Sequence, residues 1–259
     1  MRIQDTVHYN WYKHLFIAVL IFLCLYTSGR AAGINVADLF ANGAQMKLFL
    51  HKLMRPDFSY FPSLVDPLLR TIKMSVLGTL LGVFLAIPVS LLATEMITRN
   101  KLITGIVRLF LNIIRTIPNT LLAAILVAVI GIGEGTGVLT LTIFTFGLVS
   151  QLFYETIETI DTAPLEACES VGANKLKTAV WAVWPQILPS VISYSFYALE
   201  INIRSSTVLG YVGAGGIGIV LNASLGLFKY DRVSLVLLTI FVLVALVDML
   251  SEWMRRKSI

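Results

Sequence analysis

Residues 166–189 read EACESVGANKLKTAVWAVWPQILP and form the one polar helical run of any length between the hydrophobic segments of this chain. Their residue types predict two short helices. The first begins after Asp161 and ends at Gly172, a residue type that tolerates the left-handed conformation found at helix ends. The second is expected to end at Pro185 and Pro189, because proline lacks the backbone N–H that a helix interior requires.

The composition indicates that the rest of the chain is built for lipid. Of the 259 residues, 57% are hydrophobic and 14% are charged, and the mean hydropathy is +0.82. Soluble domains are less apolar and carry about 25% charged residues. The net charge of +5 comes from scattered single cations rather than a clustered basic face, which argues against nucleic acid as a partner.

Cysteine and histidine usage predicts neither a disulfide framework nor a metal or cofactor site. Cys24 lies in an apolar run, whereas Cys168 lies in the polar segment. The three histidines all fall in the first fifth of the chain. No metal ligand and no cofactor are therefore expected.

Six apolar segments are long enough, or nearly so, to cross the roughly 30 Å hydrocarbon core of a bilayer. They are residues 15–29, 74–94, 106–132, 137–153, 190–212 and 233–247. The third contains Pro118 and is predicted to be one kinked helix with an amphipathic start. We therefore expect an all-α membrane protein with about six transmembrane helices.

The first apolar run is only 15 residues long, which also suits the core of a secretory signal peptide. Arg30 interrupts the small residues Ala31 and Ala32 where a cleavage site would have to lie, so a retained helix is expected. With the N-terminus inside, eleven cations fall on the cytoplasmic side and eight outside. This weak bias favours cytoplasmic N- and C-termini.

The spans suggest three regions. Residues 1–66 are predicted to hold the N-terminal helix and an extracytoplasmic connector, residues 67–253 the transmembrane core, and residues 254–259 a basic cytoplasmic tail. Within the connector, residues 48–53 fit either an interfacial amphipathic helix or plain connecting structure.

We call residues 161–189 the polar loop. Leu165, Cys168 and Val171 recur at helical spacing and predict one apolar face on the first helix. Lys175 and Lys177 are expected to point toward water. The predicted membrane-side face of the second helix consists of Val180, Trp181, Val183 and Trp184. An ordinary amphipathic connector remains the alternative on these grounds alone.

The polar loop resembles the EAA loop of binding-protein-dependent ABC transporter permeases, with Cys168 and Trp184 as departures. The resemblance rests on Glu166, Ala167, Gly172, Ala173, Pro185 and Pro189. It implies that the first helix docks into a cleft of a cytoplasmic ATPase subunit and transmits that subunit's closure to the membrane helices. The polar loop would then be cytoplasmic.

Three further segments resemble the phosphonate-type branch of this family. They are residues 115–119 (RTIPN), 160–167 (IDTAPLEA) and 197–218 (YALEINIRSSTVLGYVGAGGIG). The resemblance covers roughly residues 67–248. It implies the type I ABC importer permease fold, a homodimer in the cell membrane, two ATPase subunits and an extracytoplasmic binding protein. Phosphonate, phosphite or phosphate is the implied cargo, with methionine- or osmolyte-type permeases as the alternative.

A glycine-rich run follows the fifth span and is predicted to form an outer loop or gate. Its glycines are Gly213, Gly215, Gly216 and Gly218. The run satisfies GxGxxG, but it follows a membrane helix rather than a strand, so dinucleotide binding is not expected. The glycines are expected to let the backbone turn and pack tightly.

Glu200 and Arg204 stand four residues apart inside the fifth span, where ionisable residues are costly. Their order allows an ion pair on one helix face. Either the two charges neutralise each other at a helix interface, or Arg204 helps a polar path to stabilise a passing anion. The residues of that predicted path are Glu200, Asn202, Arg204, Ser205, Ser206 and Thr207.

The sequence offers no catalytic motif. It has no GxxxxGK[ST], GxSxG or HExxH pattern, so ATP hydrolysis is expected in a partner and an intramembrane enzyme is disfavoured. A secondary carrier or channel, which would work without an ATPase, is the other class of function.

Overall fold

The computed structural model describes residues 11–33 and 42–258, with side chains described as far as Met254. Every regular element within those residues is a helix, and none is a strand. The chain divides into two compact units, one ending at Lys52 and the other beginning at Leu53. The fold is therefore all-α, as the sequence predicts.

The first unit contains helix α1, Trp11–Ala31, which buries none of its residues. Its side chains are apolar on all sides, which is typical of a membrane span. The predicted first span, residues 15–29, lies within α1. Helix α2, Gly43–Leu53, follows and has no buried residue. Residues 48–53, for which the sequence left an interfacial helix or plain connecting structure open, are therefore helical. Their position at the membrane interface stays a prediction.

The second unit holds the remaining helices, which are preceded by a 3₁₀ turn at Phe58–Tyr60. The α-helices in chain order are α3 (Pro62–Leu92), α4 (Glu95–Thr98), α5 (Lys101–Thr116), α6 (Asn119–Ile130), α7 (Glu134–Ile157), α8 (Ala163–Ser170), α9 (Lys175–Thr178), α10 (Trp184–Leu209), α11 (Ile217–Gly226) and α12 (Tyr230–Ser258). The basic tail predicted at residues 254–259 continues α12, and its side chains beyond Met254 lie outside the described ones.

Among the described residues, four helices are long and apolar enough to cross a membrane: α1, α3, α7 and α12. Two bent pairs bring the count to as many as six. One pair is α5 with α6, bent by 87°, and the other is Lys175–Val212 with α11, bent by 48°. The predicted six spans correspond to these four helices and two pairs.

The prediction of one kinked helix at Pro118 is wrong, because the chain breaks into two helices there. Proline disfavours a helical conformation in the residue before it. Ile117 accordingly adopts the extended φ of −82° and ψ of 118°, and Pro118 is also extended. Helix α5 is amphipathic as predicted: Leu102, Ile106 and other apolar side chains lie on its exposed side.

Helices α3 and α7 form the most extensive helix–helix contact of the described chain. The reason lies in small residues one turn apart on α3. A Cβ atom added at Gly78 would come within 2.7 Å of the Leu141 Cβ, and one added at Gly82 within 2.5 Å of the Thr145 Cβ. Such close approach of two backbones is how helices associate in lipid, where no hydrophobic force drives them together.

Helix α7 carries many buried threonines without leaving their hydroxyl groups unsatisfied. Thr140 donates to the Thr136 carbonyl at 2.8 Å, and Thr142 donates to the Val138 carbonyl at 2.8 Å. Back-bonding to the preceding turn satisfies these groups where water is absent. The polar character of α7 is therefore compatible with a buried membrane helix.

Candidate functional site

The first helix of the polar loop is α8, and its start follows the predicted pattern. The Asp161 carboxylate accepts a 3.0 Å hydrogen bond from the Ala163 N–H, and Pro164 stands in the first turn. Leu165 is buried and Cys168 packs partly into the same core. Val171 is 84% exposed, so the prediction that it completes the apolar face is wrong. Helix α8 ends at Ser170, and the chain has already turned away at Val171.

Gly172 ends this helix in the left-handed conformation, with φ of +77°, as predicted. The Gly172 N–H donates to the Glu169 carbonyl at 2.9 Å, and the Ala173 N–H donates to the Cys168 carbonyl at 3.0 Å. This pair of bonds is a Schellman cap, which satisfies the last carbonyls of a helix. The turn is therefore sharp and defined by hydrogen bonds.

The prediction that Pro185 and Pro189 end the second helix is wrong. Helix α9 runs through a π-helical turn at Ala179–Val183 directly into α10, with Pro185 in its first turn and Pro189 inside it. A helix tolerates the missing N–H groups where local widening and neighbouring helices compensate for the lost bonds. The second arm of the polar loop and the fifth span are one continuous rod.

The four residues of the predicted membrane-side face differ in exposure, and their placement toward the membrane stays a prediction. Trp181 is 75% exposed and Val180 is exposed, whereas Val183 is fully buried. Trp184 packs partly against the core that contains Phe153 and Ile157. Lys175 and Lys177 are exposed, as expected. The rod is thus fixed to the body of the protein on one side.

The outward side of α8 is free of this packing. Glu166 and Ala167 are exposed. The described chain therefore presents a short helix held from behind by Leu165 and open in front. This geometry suits a surface that another protein grips.

Glu200 and Arg204 form the ion pair that their spacing predicts, with 2.5 Å between Arg204 Nη2 and Glu200 Oε1. The side chains differ in exposure: Glu200 is 15% exposed and Arg204 53%. The guanidinium group therefore reaches the surface of α10 while the carboxylate stays within the helix packing. Ser205 accepts a 3.4 Å hydrogen bond from the Asn119 amide at the start of α6.

Two residues of the predicted path lie elsewhere. Asn202 and Ser206 are fully buried, so they do not line an accessible surface. The Asn202 amide nitrogen donates to Thr79 Oγ1 at 2.8 Å and to Thr145 Oγ1 at 2.6 Å. Ser206 donates to the Ile203 carbonyl of its own helix. Asn202 instead joins α10 to α3 and α7, and the remaining path residues stay a prediction.

The glycine run after α10 turns and packs as expected. Gly213, Gly215 and Gly216 all have positive φ. A Cβ atom at Gly218 would lie 2.0 Å from the Thr207 carbonyl oxygen, so the space there is closed to any larger residue. The role of these glycines as a gate is untested.

The glycine run is tied to neighbouring helices by residues that the sequence did not single out. Thr71 accepts a 2.8 Å hydrogen bond from the Ile217 N–H at the start of α11. Arg70 pairs with Glu134 at 2.6 Å, next to Gly215. No sequence motif marks these residues, because the contacts join positions far apart in the chain.

These features define a multi-span, all-α membrane protein with a projecting helix–turn–helix. The chain belongs to the family described as "Binding-protein-dependent transport system inner membrane component", whose profile matches residues 61–258. It is therefore a membrane permease with a role in transport.

Sequence identity to individual transport permeases supports the same family membership. The chain is 35% identical over 248 residues to the phosphite transport system permease protein PtxC of Stutzerimonas stutzeri, which covers 95% of this chain and 90% of that protein. It is 34% identical over 190 residues to the phosphate-import permease protein PhnE of Mycolicibacterium smegmatis, covering 73% of this chain and 36% of that protein.

Among solved structures, the inward-facing MetNI methionine ABC transporter matches with a TM-score of 0.70. The sequence identity is 23%, and the match covers 78% of this chain and 99% of that chain. This likeness shows the fold, which is that of type I ABC importer permeases.

Proposed function

We propose that this chain is the membrane subunit of an ATP-driven importer for a phosphorus oxyanion such as phosphite, phosphate or a phosphonate. The observation that carries the proposal is the polar loop, whose exposed helix α8 and capped turn at Gly172 suit a docking element. Family membership and the likeness to PtxC over 95% of the chain support the cargo class.

The chain works as a homodimer with two ATPase subunits that hydrolyse ATP on its behalf, and an extracytoplasmic binding protein delivers the cargo. Helix α8, with Glu166, Ala167, Gly172 and Ala173, sits in a cleft of each ATPase. Since Pro185 and Pro189 lie within the continuous rod, movement of α8 passes through the capped turn at Gly172 into a rod with no break between α9 and α10. Both termini are then cytoplasmic, and the glycine run from Gly213 to Gly218 faces outside.

Arg204 is the residue best suited to favour an oxyanion within the membrane. Its guanidinium is half exposed, and Ser205 and Thr207 lie on the neighbouring surface of α10. Arginine matches the planar, multiply charged oxygens of such anions. Methionine- and osmolyte-type cargo is the less supported candidate, because the likeness to the methionine transporter is a likeness of fold and the 35% identity to PtxC extends over 95% of the chain.

The experiment is a comparison of two glycine variants in the complex purified with its ATPase. Gly172→Val forces a branched side chain into a left-handed turn where no atom crowds it, so only the backbone geometry of the turn is disturbed. Gly135→Val is the control, at an equally open position with ordinary φ. We expect cargo-stimulated ATP hydrolysis to fall for Gly172→Val and to persist for Gly135→Val. Unchanged stimulation in Gly172→Val would contradict the docking role.

A further inference from the structure

The short helix α4 contacts the polar loop on both sides of Gly172. On the α8 side, the Arg99 guanidinium forms an ion pair with the Glu169 carboxylate. On the α9 side, Lys175 Nζ donates a 2.8 Å hydrogen bond to the Thr98 carbonyl. Residues 98–99 therefore contact both helices of the polar loop, α8 and α9. We call these two contacts the clasp.

The space behind the clasp is not filled by close packing. A cavity of about 400 Å³ lies between α4 and the polar loop. It is lined by Met96, Ile97, Arg99, Glu169, Ala173, Asn174, Lys175 and Thr178. The two polar contacts therefore add to the apolar packing of Met96 and Ile97 against the core that contains Leu165, and they tie α4 directly to both sides of the turn at Gly172.

A contribution to folding stability does not explain why position 99 is an arginine. Arg99 has φ of +52°, a left-handed conformation that glycine adopts far more easily. Its side chain is 62% exposed and that of Glu169 is 40% exposed, and such ion pairs contribute little to folding. The hydrogen bond to the Glu169 carboxylate raises the pKa of Arg99 above its ordinary value.

The opposite side of the α4 turn is fastened to the membrane helices. Arg108 on α5 donates a 2.8 Å hydrogen bond through Nε to the Ala93 carbonyl. The same guanidinium pairs with Glu158 at the end of α7 and lies 4.8 Å from the centre of the Tyr154 ring. The segment between α3 and α5 is thus held to the polar loop on one side and to α5 and α7 on the other.

We infer that Arg99 is a positioning residue for coupling: through the clasp, displacement of α8 moves the α4 turn and, with it, the ends of α3 and α5. This inference rests on the proposed docking of α8 to an ATPase. The Schellman turn alone moves only α9 and α10. The clasp adds a second route from the same helix into the spans on the other side of the bundle.

The test compares Arg99→Gly with Phe228→Gly in the complex reconstituted with its ATPase and binding protein. Phe228 is the other described non-glycine residue with positive φ, at +55°, and it is exposed. Both substitutions relieve the same backbone strain, and only the first removes the Arg99–Glu169 contact of the clasp. The measured quantity is the ratio of phosphite transported to ATP hydrolysed, together with the unfolding temperature of the complex.

We expect Arg99→Gly to lower the ratio of phosphite transported to ATP hydrolysed about fivefold or more, which is the size of a modest coupling between two sites. The unfolding temperature of the complex should not change. Phe228→Gly is expected to leave both the ratio and the unfolding temperature unchanged. Arg99→Glu lowers the ratio as well, and the exchanged pair Arg99→Glu with Glu169→Arg restores it. A wild-type ratio in Arg99→Gly, or no recovery in the exchanged pair, overturns the inference.

The Gly172→Val variant distinguishes a failure of the clasp from a failure of the proposed docking of α8. If Gly172→Val uncouples transport and Arg99→Gly does not, α8 docks as proposed and the clasp has no part in coupling. If Gly172→Val leaves coupling unchanged, the docking role itself fails.

Discussion

The side-chain amide of Asn202 in α10 donates a 2.6 Å hydrogen bond to Thr145 in α7, and both side chains are fully buried. A second bond from the same amide reaches Thr79 in α3. Asn202 Oδ1 has no hydrogen-bond partner among the described residues, so the amide acts only as a donor. Three spans therefore meet at one side chain, and this point lies where the sequence had suggested a path for cargo.

Asn202→Ala is expected to destabilise the helix packing by about 1–2 kcal/mol, because it removes both interhelical bonds and leaves two buried hydroxyl groups without their donor. The measurement is the unfolding temperature of the purified protein in detergent. Asn119→Ala is the matched control, since its amide makes a single 3.4 Å bond to Ser205 at a partly exposed position. Equal losses for the two variants would argue against a special role for Asn202.

Gly82→Ala is expected to disrupt the contact between α3 and α7. The added Cβ atom would lie 2.5 Å from the Thr145 Cβ, and overpacking of this kind costs about 1–3 kcal/mol. Gly105→Ala on α5 meets no atom within 4 Å and should keep or slightly raise stability. Unfolding in increasing denaturant compares the two variants. A tolerated Gly82→Ala would mean that the two helices separate easily.

Gly216→Ala tests the rigidity of the glycine run. The glycine has φ of +74°, and a Cβ atom would lie 2.6 Å from Thr71 Oγ1, the acceptor for the Ile217 N–H. We expect slower transport and faster hydrogen exchange at the start of α11. Gly226→Ala, which has open space around it, is expected to behave as wild type. Wild-type exchange rates in Gly216→Ala would contradict a locked loop.

Variants of the Glu200–Arg204 pair decide between mutual neutralisation and contact with cargo. If Arg204 stabilises a passing oxyanion, Arg204→Gln lowers the transport rate about tenfold or more, since a charge-assisted hydrogen bond is worth roughly 1.5–3 kcal/mol. Arg204→Lys keeps the charge and should keep part of the rate. The double variant Glu200→Gln with Arg204→Gln should remain slow. Recovery in the double variant would show that the pair only neutralises itself.

The sequence predicts the spans well, because a long apolar run has few alternatives in a membrane protein. Their ends are less predictable. Helix α3 begins at Pro62, twelve residues before the expected start at Met74, since charged residues can extend a span into the aqueous layer. The continuous rod was missed because Pro185 and Pro189 are helix breakers in water, whereas a π-helical turn and neighbouring helices accommodate them here.

The features of the candidate site that depend on residues close together in the sequence were predicted correctly. Gly172 adopts its expected left-handed turn, and Glu200 and Arg204 pair across one helical turn. The contacts that were not predicted are long-range: the burial of Asn202 depends on Thr79 and Thr145, which lie on other helices. No periodicity within α10 distinguishes a polar residue that faces a path from one that faces a neighbouring helix.

The most direct test of the central claim is cargo uptake by proteoliposomes that hold this chain, its ATPase and its binding protein. Radiolabelled phosphite, phosphate and a phosphonate are compared with methionine and glycine betaine, each with and without ATP. The account predicts that at least one phosphorus oxyanion accumulates, and that it does so only when both ATP and the binding protein are present. Accumulation without ATP, or uptake of methionine or glycine betaine in place of every phosphorus oxyanion, would contradict it.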